Sequence, residues 1–262
     1  MCSSRRRCAP PGSSTRGSAE RRSENARVEA ILLAGGKAER LGDATQGRPK
    51  SLVEIAGRPL AAYQVGQLAA AGADRVIVSC AAGQEGLFEA ELAGLGPEIV
   101  TVPESEPLGR GGGARLAAQA REESGPVYVL NGDELIDVDL TALLAAHRAR
   151  GGAATIVVAP LSTGFGVVAL GDDDQVQGFD ESPKLPYWVN AGVYVLDEEA
   201  IARLPERGDQ ERTTFPELAA EGKLYAYRHE GVWLTVNTPK DLRSAVEHLR
   251  ANPDWLAAAA KA

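Results

Sequence analysis

The sequence predicts a doubly wound α/β fold: a mostly parallel sheet flanked by helices, with a small mixed β extension walling one side of a cleft. Two observations carry this. Short runs that are apolar on both faces alternate with segments of helical spacing, the pattern of a parallel sheet covered by helices. The first apolar run ends in Gly35-Gly36, where such a sheet opens its ligand crevice, outside the carboxyl ends of the strands.

The elements follow in order. Val28–Ala34 (VEAILLA) is the first strand. Pro59–Ala71 has helical spacing, with Pro in its first turn and Gly72 as its stop. Arg75–Ser79 (RVIVS) and Glu98–Val102 (EIVTV) are the second and third strands, and Gly111–Glu122 is a helix. Val127–Leu130 (VYVL) is a fourth strand running into Asn131-Gly132-Asp133. Leu140–Arg150 is a helix and Ala154–Ala159 a fifth strand. The second half reads as short strands, Gly166–Leu170, Gln175–Phe179, Val193–Leu196 and Leu224–His229, closed by a helix over Pro239–Leu249. These strands are expected to extend the sheet.

Composition narrows the class. The chain has 262 residues, 44% hydrophobic and 24% charged, with a net charge of −8. At about 150 residues per domain this leaves one large domain or two small ones, and with no repeat or linker one domain over residues 27–262 is expected. The first 26 residues carry +4, six Arg against Glu20 and Glu24, which leaves −12 on the rest. This tail is rich in Ser, Arg, Pro and Gly and reads as a disordered basic extension; the alternatives are a nucleic-acid or membrane tether, or a true start near Val28. An acidic body argues against nucleic-acid binding, which needs clustered Lys and Arg. No run approaches the ~20 apolar residues of a membrane span, and no secretory h-region is present, so a cytoplasmic protein is expected. Cys2, Cys8 and Cys80 form no CxxC pair, and His147, His229 and His248 are scattered, so no zinc pattern exists. Cys80 reads as a buried thiol.

Three segments fall at the crevice: Gly35–Lys50, Glu104–Gly113 (ESEPLGRGGG) and Asn131–Asp133. Gly35-Gly36 lets backbone approach a ligand closely and frees N–H groups for phosphate. Arg40 and Lys50 add two cations, a set that suits a polyphosphate. Asp133, at a strand end, is placed to hold a divalent ion, and Mg²⁺ is usually bound by one or two carboxylates plus phosphates. Its alternative role is to cap the next segment. The glycines of the second segment are expected to leave backbone free to face a flat base.

The order GG…R…PK, EPLG-x-GG, NGD, E-x-P and NAGVYV resembles the sugar-1-phosphate nucleotidyltransferase family, from about Ala30 to Asp241. EPLGRGGG and VLNGDELIDVDLTALL are most similar to mannose-1-phosphate and heptose-1-phosphate guanylyltransferases. The resemblance implies a Rossmann-like fold and transfer of a nucleoside monophosphate from an NTP, GTP favoured, to a mannose- or heptose-type sugar 1-phosphate. The products would be an NDP-sugar and pyrophosphate, made with Mg²⁺, and the partners its two substrates, with room for a homo-oligomer. It implies that Ala34, Gly35 and Gly36 hold the nucleotide through backbone N–H groups and that Gly109 and Gly112 flank the base. Arg40 and Lys50 would bind the phosphates, Asp133 the metal, and Gly166, Glu181 and Asn190 the sugar. Fixed cations and a metal suit a transition state that spreads charge over phosphate oxygens.

Three departures stand against the family pattern. Ala38 and Glu39 replace a Gly and a hydroxyl residue before Arg40, and Glu181-Ser182-Pro183 lacks the lysine of E-K-P, leaving Lys184 as its substitute. The second metal-binding Asp of W-x-D-x-G-T-P is Thr235; in the cytidylyltransferase register its place falls on Asn237. An active enzyme with a modified metal shell is expected, against a non-catalytic, nucleotide-sugar-binding regulatory subunit of the same fold. A molybdopterin- or alditol-phosphate enzyme fits the sugar-pocket residues poorly, and a dehydrogenase lacks GxGxxG. No hexapeptide-repeat domain is expected within these residues.

Overall fold

The computed structural model describes residues 27–36, 41–45, 47–253 and 255. The basic tail, Ala38, Glu39 and Arg40 lie outside the described residues.

The chain forms β1 (Val28–Leu33), β2 (Glu54–Ile55), β3 (Arg58–Pro59), α1 (Leu60–Ala70), β4 (Ala73–Ala81), α2 (Glu85–Leu92) and β5 (Glu98–Glu104). It continues through α3 (Gly109–Ala118), β6 (Val127–Asn131), β7 (Glu134–Ile136), α4 (Leu140–Arg150) and β8 (Ala154–Ser162). Then come β9 (Val167–Leu170), β10 (Val176–Asp180), β11 (Lys184–Leu196), α5 (Glu198–Ala202), α6 (Thr214–Ala220), β12 (Leu224–Arg228), β13 (Trp233–Thr235) and α7 (Pro239–Ala251). Seven strands make one sheet in the order β12-β8-β11-β6-β1-β4-β5. All run parallel except β11, which is antiparallel to both β6 and β8.

Alternation along β1 explains the two-sided core. Ala30 and Leu32 pack with Val65, Leu68, Phe88 and Leu143 on one face. Ile31 packs with Ala114, Ala117, Tyr194 and Phe215 on the other. Consecutive strand residues point to opposite faces, so a strand buried on both reads as an unbroken apolar run. Local stops are written in the sequence. Asp139 caps α4 by accepting from the Ala142 N–H, and α7 starts with a Thr238–Asp241 capping box and Pro239. Cys80 is fully buried, and burial pushes its thiol up to about 11.

The structure corrects the expected outline in three places. The segments 166–170 and 175–179 do not extend the main sheet; they form the separate hairpin β9–β10, whose apolar residues Phe165, Leu170, Val176 and Phe179 stay exposed. The strand read over Val193–Leu196 begins nine residues earlier, at Lys184, because its first half follows β8 and leaves the main sheet's core. The helix expected over Gly111–Glu122 starts at Gly109 and stops at Ala118. Buried Glu29 accepts hydrogen bonds from the N–H groups of Glu122 and Glu123, drawing that segment out of the helix. Helix α2 is hidden in the sequence because Gly86 lies within its first turn and Gly83 and Gly94 flank it closely, although Phe88 and Leu92 share its buried face.

Candidate active site

In the order β5-β4-β1-β6 the chain winds outward from β1 in both directions, which makes the β1–β6 boundary the switch point of the sheet. A cleft of about 660 Å³ opens there, at the carboxyl ends of β1, β5 and β6, a size that fits a small-molecule site. Its walls include Ala34, Gly35, Gly36, Lys50, Glu104, Gly109, Arg110, Asn131, Asp133, Glu134 and Asn237. Three sequence segments expected at the crevice thus converge.

Its centre is a lysine. Lys50 begins a 3₁₀ turn just after Pro49, and its Nζ donates to Asp133 Oδ2 at 2.7 Å and to Asn237 Oδ1 at 2.5 Å. Lys50 is only 13% exposed at its side chain, against 34% for Asp133. Asp133 is carried there by β6, and Asn237 by a backbone bond from Val236 N–H to Asp133 O at 2.9 Å. The two candidates for the missing carboxylate fall in different places. Asn237 faces Lys50 in the cleft, whereas Thr235 lies on β13 opposite Glu134 of β7 and is not part of the cleft wall.

The glycine loops are held by Glu104, which the sequence reading passed over. This buried carboxylate accepts from Ser79 Oγ at 2.7 Å and from Leu108 N–H at 3.0 Å. A Cβ on Gly35 or Gly113 would fall 2.7–2.8 Å from its Oε1, so both glycines are required by packing. The clue was an acidic residue, the first of ESEPLG, at the end of the strand.

The expected binders fall in different places relative to this cleft. Ala34 lines the cleft, but its N–H already donates to Ser79 O at 2.7 Å, which leaves Gly35 and Gly36 as the backbone donors of that turn. Gly109 is on the wall with φ +78, whereas Gly112 packs against residues 206–207: a Cβ there would lie 2.7 Å from Glu206 O. Gly111 is pressed in the same way against Pro205 and Gln210. Most of this glycine run therefore serves to seat α3 against residues 205–210, not to face a base. Gly166 and Glu181 come together on the hairpin, where a Cβ on Gly166 would lie 3.1 Å from Glu181 Oε2, but neither lines the cleft. Asn190 is off the wall too; its Nδ2 donates to Tyr194 OH at 2.8 Å, and Tyr194 OH donates to Glu211, which faces Arg110. Lys184 is exposed at the start of β11.

Glu134 is the second residue that sequence reasoning missed. Burial pushes its carboxyl up to about 7 against the pull of hydrogen bonds from Trp233 and Asn131. Among the described residues no cluster of three or more His, Cys, Asp or Glu forms a ready metal cage, and no helix is long and apolar enough to cross a membrane.

The family model described as "Nucleotidyl transferase" matches residues 29–252. A mannose-1-phosphate guanylyltransferase of Mycobacterium tuberculosis is 35% identical over 226 residues, 82% of this chain and 62% of its own length. A mannose-1-phosphate guanylyltransferase catalytic subunit beta of Danio rerio is 33% identical over 252 residues, 87% of this chain and 70% of its own. This chain thus spans only about two thirds of such relatives. Among solved structures, HddC from Yersinia pseudotuberculosis superposes with a TM-score of 0.66 at 20% identity, covering 85% of this chain and 99% of HddC, a likeness of fold.

Proposed function

Given that the chain belongs to the nucleotidyl transferase family, we propose that it joins an NTP and a sugar 1-phosphate into an NDP-sugar, releasing pyrophosphate. The observation that carries this reading is Lys50, held by Asp133 and Asn237 beside the Gly35-Gly36 turn. The names of the relatives support GTP and mannose 1-phosphate as the substrate pair. A subunit that only binds a nucleotide sugar has no need for a cation fixed at the reacting phosphate, and the relatives described above carry enzyme names.

In the reaction an oxygen of the sugar 1-phosphate bonds to the α-phosphorus. The bond from that phosphorus to the bridging oxygen breaks, and its electron pair leaves with pyrophosphate. The attacking oxygen is already ionised, so no side chain has to remove a proton. What the chain must supply is position and positive charge. An ammonium has three N–H donors; two are engaged by Asp133 and Asn237, which fixes the third for a phosphate oxygen. Gly35 and Gly36 N–H groups add neutral donors, and Arg40 is proposed for the leaving phosphates. Asp133 and the Asn237 amide oxygen are hard donors of the kind Mg²⁺ takes together with phosphate and water. When bound, Mg²⁺ would supply further charge neutralisation. Gly109, Gly166, Glu181 and Asn190 remain proposals for base and sugar contacts. Incubation with GTP, mannose 1-phosphate and Mg²⁺ should yield a GDP-sugar by anion-exchange chromatography; absence of any NDP-sugar with any pair would refute the reading.

The neutral residue at position 237 makes a direct prediction. Asn237→Asp is expected to lower the Mg²⁺ concentration needed for half-maximal activity, because an anion beside a divalent ion is favourable even when screened. Thr235→Asp is expected to give no such gain, since its carboxylate would sit across the β13–β7 ladder from Glu134. A Mg²⁺ titration of both variants checks this, and a gain at position 235 alone would refute the assignment.

We also propose that residues 27–262 form the working domain, in the cytoplasm, with homo-oligomerisation open to light scattering. Deletion of residues 1–26 is expected to leave melting temperature and turnover unchanged, because that composition buries too little apolar surface to offset ordering. Loss of activity in the truncated chain would show the tail to be functional.

A further inference from the structure

Beside Lys50, the cleft has a wall of opposite character. Glu134 stands between the cleft and a second, apolar cavity of about 310 Å³ lined by Tyr63, Leu130, Leu135 and Trp255. Its backbone carbonyl accepts from Gln64 Nε2 at 3.0 Å. Its Oε2 accepts from Trp233 Nε1 at 2.7 Å, whereas Oε1 has only a long 3.4 Å contact from Asn131 Nδ2. Gly192 makes room for it: a Cβ there would fall 2.6 Å from Oε1 and 2.7 Å from Asn131 Nδ2, and its φ is +72. Asn131 Oδ1, on the same wall, is buried with no hydrogen-bond partner among the described residues.

This wall therefore offers acceptors that lack donors, and buried acceptors left unpaired are costly. A phosphate cannot satisfy them, since it brings acceptors and negative charge. A polyol can, because each hydroxyl brings a donor. The wall also abuts β11 at Gly192, whose N–H donates to Asn190 Oδ1 at 3.0 Å, away from the Gly35–Gly36 turn.

We infer that Glu134 is a specificity-determining residue for the sugar: with Oε2 locked by Trp233 and Gly192 leaving it space, Oε1 accepts a hydrogen bond from a hydroxyl of the sugar 1-phosphate. This deepens the proposed function and rests on it. With Oε2 already engaged, Oε1 is the acceptor left for the sugar, so the site selects for a hydroxyl at one position. A site built to bond a hydroxyl discriminates strongly against an analogue lacking it.

The test uses the full chain, with Glu134→Gln, Trp233→Phe and wild type compared in steady-state kinetics and in calorimetric binding of the sugar 1-phosphate. Mono-deoxy analogues of that sugar complete the panel. Glu134→Gln is expected to raise the KM for the sugar 1-phosphate about tenfold or more, leaving the KM for NTP, base selectivity and Mg²⁺ requirement unchanged. One deoxy analogue should lose affinity for wild type and show no further loss with Glu134→Gln. Trp233→Phe, which frees Oε2 but keeps the carboxylate, should show the same signature more weakly. Equal losses on every analogue, or an effect on Mg²⁺ or NTP instead, would overturn the inference while wild-type turnover leaves the proposed function intact. If wild type makes no NDP-sugar yet binds a sugar 1-phosphate in a Glu134-dependent way, the activity falls and the sugar site stands. If it binds none, both fall.

Discussion

Asp133→Asn is expected to lower turnover by two orders of magnitude or more while the protein stays folded. Asp133 Oδ2 accepts the Lys50 Nζ hydrogen bond at 2.7 Å and is the carboxylate proposed to hold Mg²⁺. Losing its charge removes on the order of 3 kcal/mol of transition-state stabilisation. The fold should survive, because Asp133 lies at a half-exposed strand end and an amide oxygen can still accept from Lys50. Turnover at saturating Mg²⁺, set beside the melting temperature, checks this. A variant with near wild-type turnover would remove Asp133 from the catalytic machinery.

Lys50→Met is expected to be as damaging, by about 100-fold or more in turnover. Methionine fills much of the lysine stem's volume but offers no N–H to a phosphate, and it leaves Asp133 and Asn237 without their shared donor. The loss should appear mainly in the chemical step, since a fixed charge acts most where negative charge develops. Single-turnover kinetics separates that from weaker binding. A rise in the KM for NTP with an unchanged single-turnover rate would make Lys50 a binding residue only.

Much of this site was legible in the sequence, for a simple reason. Strands buried on both faces are unbroken apolar runs, so the residues that end them, Gly35-Gly36 after β1 and Asn131-Gly132-Asp133 after β6, can be placed at the crevice without coordinates. Lys50 followed as a cation in the loop leaving the first strand. What stayed hidden depends on contacts between distant segments. Position 237 meets Lys50 whereas position 235 pairs with β7, and spacing cannot tell the two apart. The glycines at 111 and 112 look free in sequence, but the structure spends them on close packing against residues 205–210. Glu104 and Glu134 carry no motif; they matter because Gly35, Gly113 and Gly192 leave room for their carboxylates. The hairpin β9–β10 misled because two strands exposed on both faces have the same short apolar runs as strands that join a sheet.

The most direct test of the central claim is pyrophosphate release by the intact chain across four NTPs and a panel of sugar 1-phosphates, with Mg²⁺ and with Mg²⁺ chelated. The predicted result is release that requires an NTP, a sugar 1-phosphate and Mg²⁺ together, greatest with GTP and a mannose- or heptose-type sugar, and abolished by Asp133→Asn. Release that does not depend on the sugar 1-phosphate, or none with any pair, would contradict it.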